Sequence, residues 1–186
     1  CRHDKRWIRH ASAANLGRNQ APLGIHLLSN QLFDRYFTSA AMRAIFCDHG
    51  RVQGMLDFEA ALARTEASSG LIPQAAVQSI GNACQAEHYD FAALAEAIVT
   101  AGNSAIPLVK ALGKVIASGV PEAERFVHLG ATSQDAMDTG LVLQLRDALG
   151  LIEADLARLA DSLAHQALQH ADTPLAGRTW LQHATP

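Results

Sequence analysis

The sequence predicts an all-α protein, a small helical N-terminal domain followed by the first long helix of a helical bundle. Three observations predict it. Hydrophobic residues make up 49% of the chain but aromatic ones only 5%, so the core must be built from Ala, Leu, Ile and Val, and the Ala- and Leu-rich balance favours helices over sheets. Apolar positions recur at helical spacing in short runs punctuated by Gly and Pro. Leu145, Leu149, Ile152, Leu156, Leu159 and Leu163 then follow one another at intervals of 4, 3, 4, 3 and 4, which is a heptad seam.

The elements follow in order. Residues 1–28 hold five Lys/Arg against one acid, whereas the rest holds ten against seventeen. This basic head is Arg-rich and acid-poor like a transit peptide, but it starts with Cys1 and has no amphipathic period. It reads as foreign or upstream sequence, disordered, with the helical N-terminal domain spanning 29–127 and the bundle beginning at 128–186. Residues 31–46 (QLFDRYFTSAAMRAIF) predict a packed segment with a short helix. Asp48 is placed to cap a helix over about 50–69, with Val52, Met55, Leu56, Ala60, Leu62 and Ala63 as its apolar positions. Gly70 stops it and Pro73 restarts the chain. Helices are expected over 74–86 and 90–101, the second capped by Asp90 and broken by Gly102. Another spans 104–117, with Pro107 tolerable in its first turn. Residues 121–127 form a short turn or helix leading into the loop HLGATSQD. A helix over about 134–170 then runs for about 55 Å at 1.5 Å per residue and ends at Asp172, Thr173 and Pro174. It cannot bury its seam on the small domain before it, so the seam calls for oligomerisation or for further helices.

Several function classes are excluded. A formal net charge of −3 argues against nucleic acid, and no stretch approaches the ~18 apolar residues of a membrane span. Cys1, Cys47 and Cys84 are too scattered for a disulfide framework or a zinc site and are expected to be buried free thiols of a cytoplasmic protein. The nine His include no HxH or HxxxE pair, so neither metal nor cofactor is expected.

Chemistry can sit at three polar breaks. In His128-Leu129-Gly130-Ala131-Thr132-Ser133-Gln134-Asp135, the unsatisfied amides at the start of the long helix, two hydroxyls and a carboxamide can receive a carboxylate. The plainer alternative is a capping box of Thr132 with Asp135. His128 is either a proton donor or a packed histidine. Asn103 and Ser104 form the second break, alternatively a helix cap. The third is Gly177–Pro186 (GRTWLQHATP), with Arg178, Thr179, Gln182, His183 and Thr185 in one short stretch, or a solvated turn.

These segments resemble one superfamily, that of fumarase, aspartase, argininosuccinate lyase, adenylosuccinate lyase and the bacterial carboxymuconate cycloisomerases, over about residues 29–186. HLGATSQDAMDTG is similar to the superfamily's H-x-G-x-T-S-x-D-x-x-D-T, and GRTWLQHATP aligns with its G-x-T-H-x-Q-x-A-x-P loop. TAGNSAIPLV matches the segment where lyases place a Thr, a His or Gly, and an Asp or Asn. The stretch RYFTSAAMRAIFCDHGRVQGMLDFEAALARTEASSGLIP resembles the start of adenylosuccinate lyases and, more closely, of the cycloisomerases. Two departures select the branch. Trp180 stands where most lyases have a His, and Gly102 where adenylosuccinate lyases have one. Trp cannot act as a general acid or base, so the resemblance is to the cycloisomerase branch.

The resemblance implies a homotetramer whose active sites collect loops from three subunits, and no cofactor. It implies an intramolecular addition that closes the tricarboxylate 3-carboxy-cis,cis-muconate to 4-carboxymuconolactone in the β-ketoadipate route of protocatechuate breakdown. The catalytic candidates are His128, Ser133 and His183. Asn103, Ser104, Thr132, Gln134, Thr179, Trp180 and Gln182 are the substrate-binding candidates. The superfamily's serine-bearing loop, G-S-S-x-M-P-x-K-x-N-P, does not occur in the 186 residues, so this chain alone is expected to be an inactive fragment. The alternatives are a C–N lyase of the adenylosuccinate type and a non-catalytic helical oligomerisation protein.

Overall fold

The computed structural model describes residues 35–174 and, for the backbone alone, 176–178 and 182–183. The chain divides into two compact units, Cys1–Phe37 and Thr38–Pro186. In the first, the described residues end in an edge-on pair of rings, Tyr36 and Phe37, with centroids 5.0 Å apart. The expectations for residues 1–28 lie outside the described residues.

The second unit is helical as the sequence predicts. Helix α1 (Ala40–Ile45) starts where the Ser39 hydroxyl accepts from the Met42 N–H at 3.1 Å. Helix α2 (Asp48–Ser68) is the central element. Its cap is Cys47 rather than Asp48: the Cys47 sulfur accepts from the Gly50 N–H, and Asp48 sits in the first turn, where its charge favours the positive end of the dipole. Cys47 is therefore exposed, against expectation, whereas Cys84 is buried, its thiol pushed up to about 12 by desolvation and so inert. Gly70, at φ +76°, ends α2 in a Schellman turn, with Leu71 N–H to Glu66 C=O at 2.9 Å and Gly70 N–H to Ala67 C=O at 3.1 Å.

Helix α3 (Gln74–Ala83) stops three residues short of the expected 86, and a 3-10 turn (Ala86–His88) follows. Gln53 of α2 holds that junction, donating to the Cys84 carbonyl at 3.2 Å and accepting from the Ala86 N–H at 2.9 Å. A glutamine that satisfies two main-chain groups ends the helix where local periodicity would continue it. Helix α4 (Phe91–Ala101) is capped by Asp90, whose Oδ1 accepts from Ala92 and Ala93 N–H, and closes on Gly102 in the left-handed region. Helix α5 (Ala105–Gly119) and the short α6 (Pro121–Glu124), with Pro at its first position, follow. The long helix α7 spans Ser133–Gln169, 37 residues. After it the all-α pattern has one departure: Ala176–Arg178 (β1) pairs antiparallel with Gln182–His183 (β2) in a stretch read as a loop.

The core lies where α2, α3 and α5 meet, at Leu56, Ile80 and Leu112, all fully buried. Burying each such side chain is worth about 1.5–3 kcal/mol. Helix α2 also packs along the first half of α7, where Gly54 and Gly140 bring the two backbones together. The second half of α7 leaves the described core. Leu149, Leu156, Leu159 and Leu163 are each more than half exposed, and the seam read from the sequence faces outward.

Two acids break the apolar pattern of α2. Glu59 and Glu66 are buried on the face that also carries Val52, Leu56 and Ala63. Glu66 Oε2 has no hydrogen-bond partner among the described residues. Desolvation raises the Glu66 pKa above its usual 4.5, against a smaller opposing pull from His128. A carboxyl raised on folding stabilises the fold below its unfolded pKa, and that contribution is lost as pH rises through the folded value. Glu66→Gln is therefore expected to raise stability by ~1 kcal/mol at pH 8 and to give no gain at pH 4. Thermal denaturation at the two pH values checks the sign.

Candidate active site

The candidate site is built on two helix N-termini. At α5, Asn103 acts as the capping side chain, its Oδ1 accepting from the Ala105 and Ile106 N–H groups at 2.9 and 3.0 Å. Its Nδ2 is thereby turned outward and donates to Ser133 Oγ at 3.2 Å. Ser133 is the first residue of α7. One carboxamide thus ties the positive ends of α5 and α7 together, although 30 residues separate the partners in the chain.

At α7 the capping-box alternative holds. The Asp135 carboxylate accepts from the Thr132 N–H at 2.8 Å within a Thr-x-x-Asp box. The box does not exhaust the helix end. It takes the cap and third-position amides, and among the described residues those of Ser133 and Gln134 have no hydrogen-bond partner. These two amides are free to meet an anion, and the Ser133 and Thr132 oxygens, already accepting from Asn103 and from the third-position amide, each keep a hydroxyl hydrogen to donate. The Gln134 side chain is engaged elsewhere, donating to Asp138 Oδ1 at 2.6 Å, so its available group is the main-chain N–H. Ser104 turns the other way, its hydroxyl 3.9 Å from the Met55 sulfur.

His128 stands in the loop before α7, in the left-handed region at φ +57°. Such a conformation is uncommon for a non-glycine residue and persists only where the surroundings impose it. Helix α2 supplies those surroundings. His128 Nδ1 lies 2.6 Å from Glu59 Oε1, and the Phe58 ring meets the imidazole edge-on at 6.5 Å between centroids. Glu59 is 2% exposed, and its Oε2 has no hydrogen-bond partner among the described residues. Desolvation raises the Glu59 pKa, and the hydrogen bond with His128 opposes the rise. His128 is thus packed against α2 and bonded to Glu59, as the packed-histidine reading expects. Among the described residues its Nε2 makes no hydrogen bond.

The structure therefore brings Asn103, Ser133, Thr132 and Gln134 to one pair of helix ends, with His128 in the adjoining loop. Gln182 and His183 are described only as backbone of β2, while Thr179 and Trp180 lie outside the described residues. Sequence reasoning missed Glu59. The available signal was its spacing, three residues after Leu56 and four before Ala63, on the stripe that α2 buries.

A family model described as Lyase matches residues 35–186. The 3-carboxy-cis,cis-muconate cycloisomerase of Pseudomonas putida is 78% identical over 159 residues, which cover 86% of this chain and 38% of that protein. The protein of the same description from Pseudomonas aeruginosa is 72% identical over 158 residues, 85% of this chain and 34% of that protein. The crystal structure of 3-carboxy-cis,cis-muconate lactonizing enzyme from Pseudomonas putida superimposes with a TM-score of 0.78 at 80% identity, over 84% of this chain and 36% of that one. The chain thus spans little more than a third of the length of these relatives. On the family match, and with the helical fold just described, the chain belongs to the lyase family of the fumarase/aspartase superfamily.

Proposed function

We propose that this chain supplies part of the active site of a cycloisomerase that closes 3-carboxy-cis,cis-muconate to 4-carboxymuconolactone. The observation that carries the reading is the Asn103–Ser133 bond, which ties the N-termini of α5 and α7 together beside two unclaimed amides of α7. That donor set suits a carboxylate, and the names of the relatives narrow the substrate to a carboxymuconate.

In the reaction one substrate carboxylate oxygen forms a C–O bond to the conjugated diene. The displaced electron pair moves to the carbon beside a second carboxylate, as an enediolate. One proton then closes the sequence at that carbon. The protein must hold the carboxylates, stabilise the enediolate and deliver the proton. Thr132, Ser133 and the Gln134 N–H grip the carboxylate on which charge develops, where amides preorganised at a helix end lose no reorganisation energy. Asn103, Thr179, Trp180 and Gln182 bind the others, and Ser104 joins them only if its hydroxyl turns from the Met55 sulfur. His128 delivers the proton through Nε2, and His183 pairs with the remaining anion. The domain division at 127/128 and a homotetramer joined along the α7 seam belong to the same reading, since the exposed leucines call for helical partners.

The test uses the full-length protein containing this chain, with 3-carboxy-cis,cis-muconate and adenylosuccinate offered separately. Loss of the ultraviolet absorbance of the conjugated diene with the first alone, from a preparation sedimenting as a tetramer, is the expected result. Cleavage of adenylosuccinate instead, or silence with both, overturns the assignment.

A further inference from the structure

We infer that Glu59 is a positioning residue for His128, fixing the imidazole so that Nε2 is the nitrogen that works on the substrate. The inference rests on the role proposed above for His128, and its first test is independent of that role. Four observations carry it. The Glu59 carboxylate meets His128 Nδ1 at 2.6 Å from inside the core. Phe58, the preceding residue of α2, bounds the same ring, so two consecutive side chains set its plane. The His128 backbone is held in the left-handed region. Finally, the other Glu59 oxygen is buried without a partner, so among the described residues the carboxylate makes no polar contact except with His128.

A buried carboxylate whose polar partner among the described residues is His128 alone is a poor structural device, because desolvating the charge costs more than contacts to one residue return. It is a good orienting device. With Nδ1–H donated to Glu59, the neutral ring carries its lone pair on Nε2. The protonated ring has a single mobile proton to give, at Nε2, and the ring left behind is the same tautomer, ready to be recharged from solvent. No electrons leave or enter the pair. The other ionisable group acting on it is Glu66, two turns further along α2, whose charge opposes ionisation of Glu59. Burial holds the Glu59 carboxyl up, which defines the opposite arrangement: a neutral carboxyl donating to Nδ1, with the ring proton on Nε2.

The two arrangements differ in the ring nitrogen shifts. In ¹⁵N-histidine NMR of this chain, at a pH where the imidazole is neutral, His128 is expected as the Nδ1–H tautomer. Glu59→Gln is expected to replace that single form with a mixture of both tautomers. In the full-length protein the same substitution is expected to lower kcat by roughly tenfold or more with little change in KM, as when an orienting carboxylate is neutralised. An Nε2–H tautomer in the wild-type chain overturns the inference without any variant. A folded Glu59→Gln protein with one tautomer and unchanged kcat overturns it too. If the tautomers behave as expected but carboxymuconate is not turned over, the proposed reaction fails and the assignment of Glu59 stands.

Discussion

Gly140→Val is expected to destabilise the helical unit by about 3 kcal/mol, because the two atoms nearest to a new Cβ are main chain and cannot move aside. A Cβ at Gly140 would lie 3.0 Å from the Met55 nitrogen and 3.1 Å from the Gly54 carbonyl carbon, and one at Gly54 would lie 2.9 Å from the Gly140 oxygen. Both neighbours are main chain of the facing helix, so any side chain there pushes α2 and α7 apart. Alanine is the sharper case. In an open helix interior Gly→Ala gains about 1 kcal/mol, yet at 140 the contact outweighs that gain and the sign reverses. Gly150 lies on the same helix with nothing within 4 Å of a Cβ, and Gly150→Ala is expected to stabilise by about that amount. Urea denaturation of the three variants checks all of this. A Gly140→Val chain as stable as the wild type would mean that α2 and α7 do not cross there.

Helix α7 shows how much was legible in advance and where the reading stopped. Its length, its Thr132–Asp135 start and its outward seam are local properties, written in periodicity and capping chemistry, and the expected bounds of about 134–170 lie within one residue of Ser133–Gln169. What it touches is not local. Two glycines inside helices, each unfavourable by about 1 kcal/mol, hint at a close approach but do not name each other as partners. The same limit applies to the site. Asn103 was legible as a cap and Ser133 as a hydroxyl at a helix start, and the bond between them required the fold. Glu59 was least legible, because an acid on a helix is ordinarily solvated and only its place on the α2 stripe marks it as buried. Cys47 in place of Asp48 is a smaller failure of the same kind. Asp is the stronger cap by type, but α2 already starts at Asp48, which leaves Cys47 at the position whose side chain meets the Gly50 amide.

His128→Asn is expected to lower kcat of the full-length protein by roughly 10²–10⁴-fold while leaving the fold nearly as stable as before. Asparagine is chosen because it separates the two duties of this residue. It tolerates the left-handed backbone at φ +57° better than other side chains, and its amide can donate to Glu59 in place of Nδ1–H, so the buried carboxylate keeps a partner. It has no group at the position of Nε2 and no proton to deliver. His128→Ala does not make this separation. It strands the Glu59 charge in the core, a change expected to destabilise by about 3–5 kcal/mol, and adds the strain of alanine in the left-handed region. A loss of rate in the alanine variant can therefore be a loss of fold, whereas in the asparagine variant it cannot, provided Tm is measured on the same preparation. If His128→Asn retains its stability and turns over within tenfold of the wild type, His128 is a strut for the α2–α7 corner, and proton delivery must be sought at His183 or elsewhere in the full-length protein.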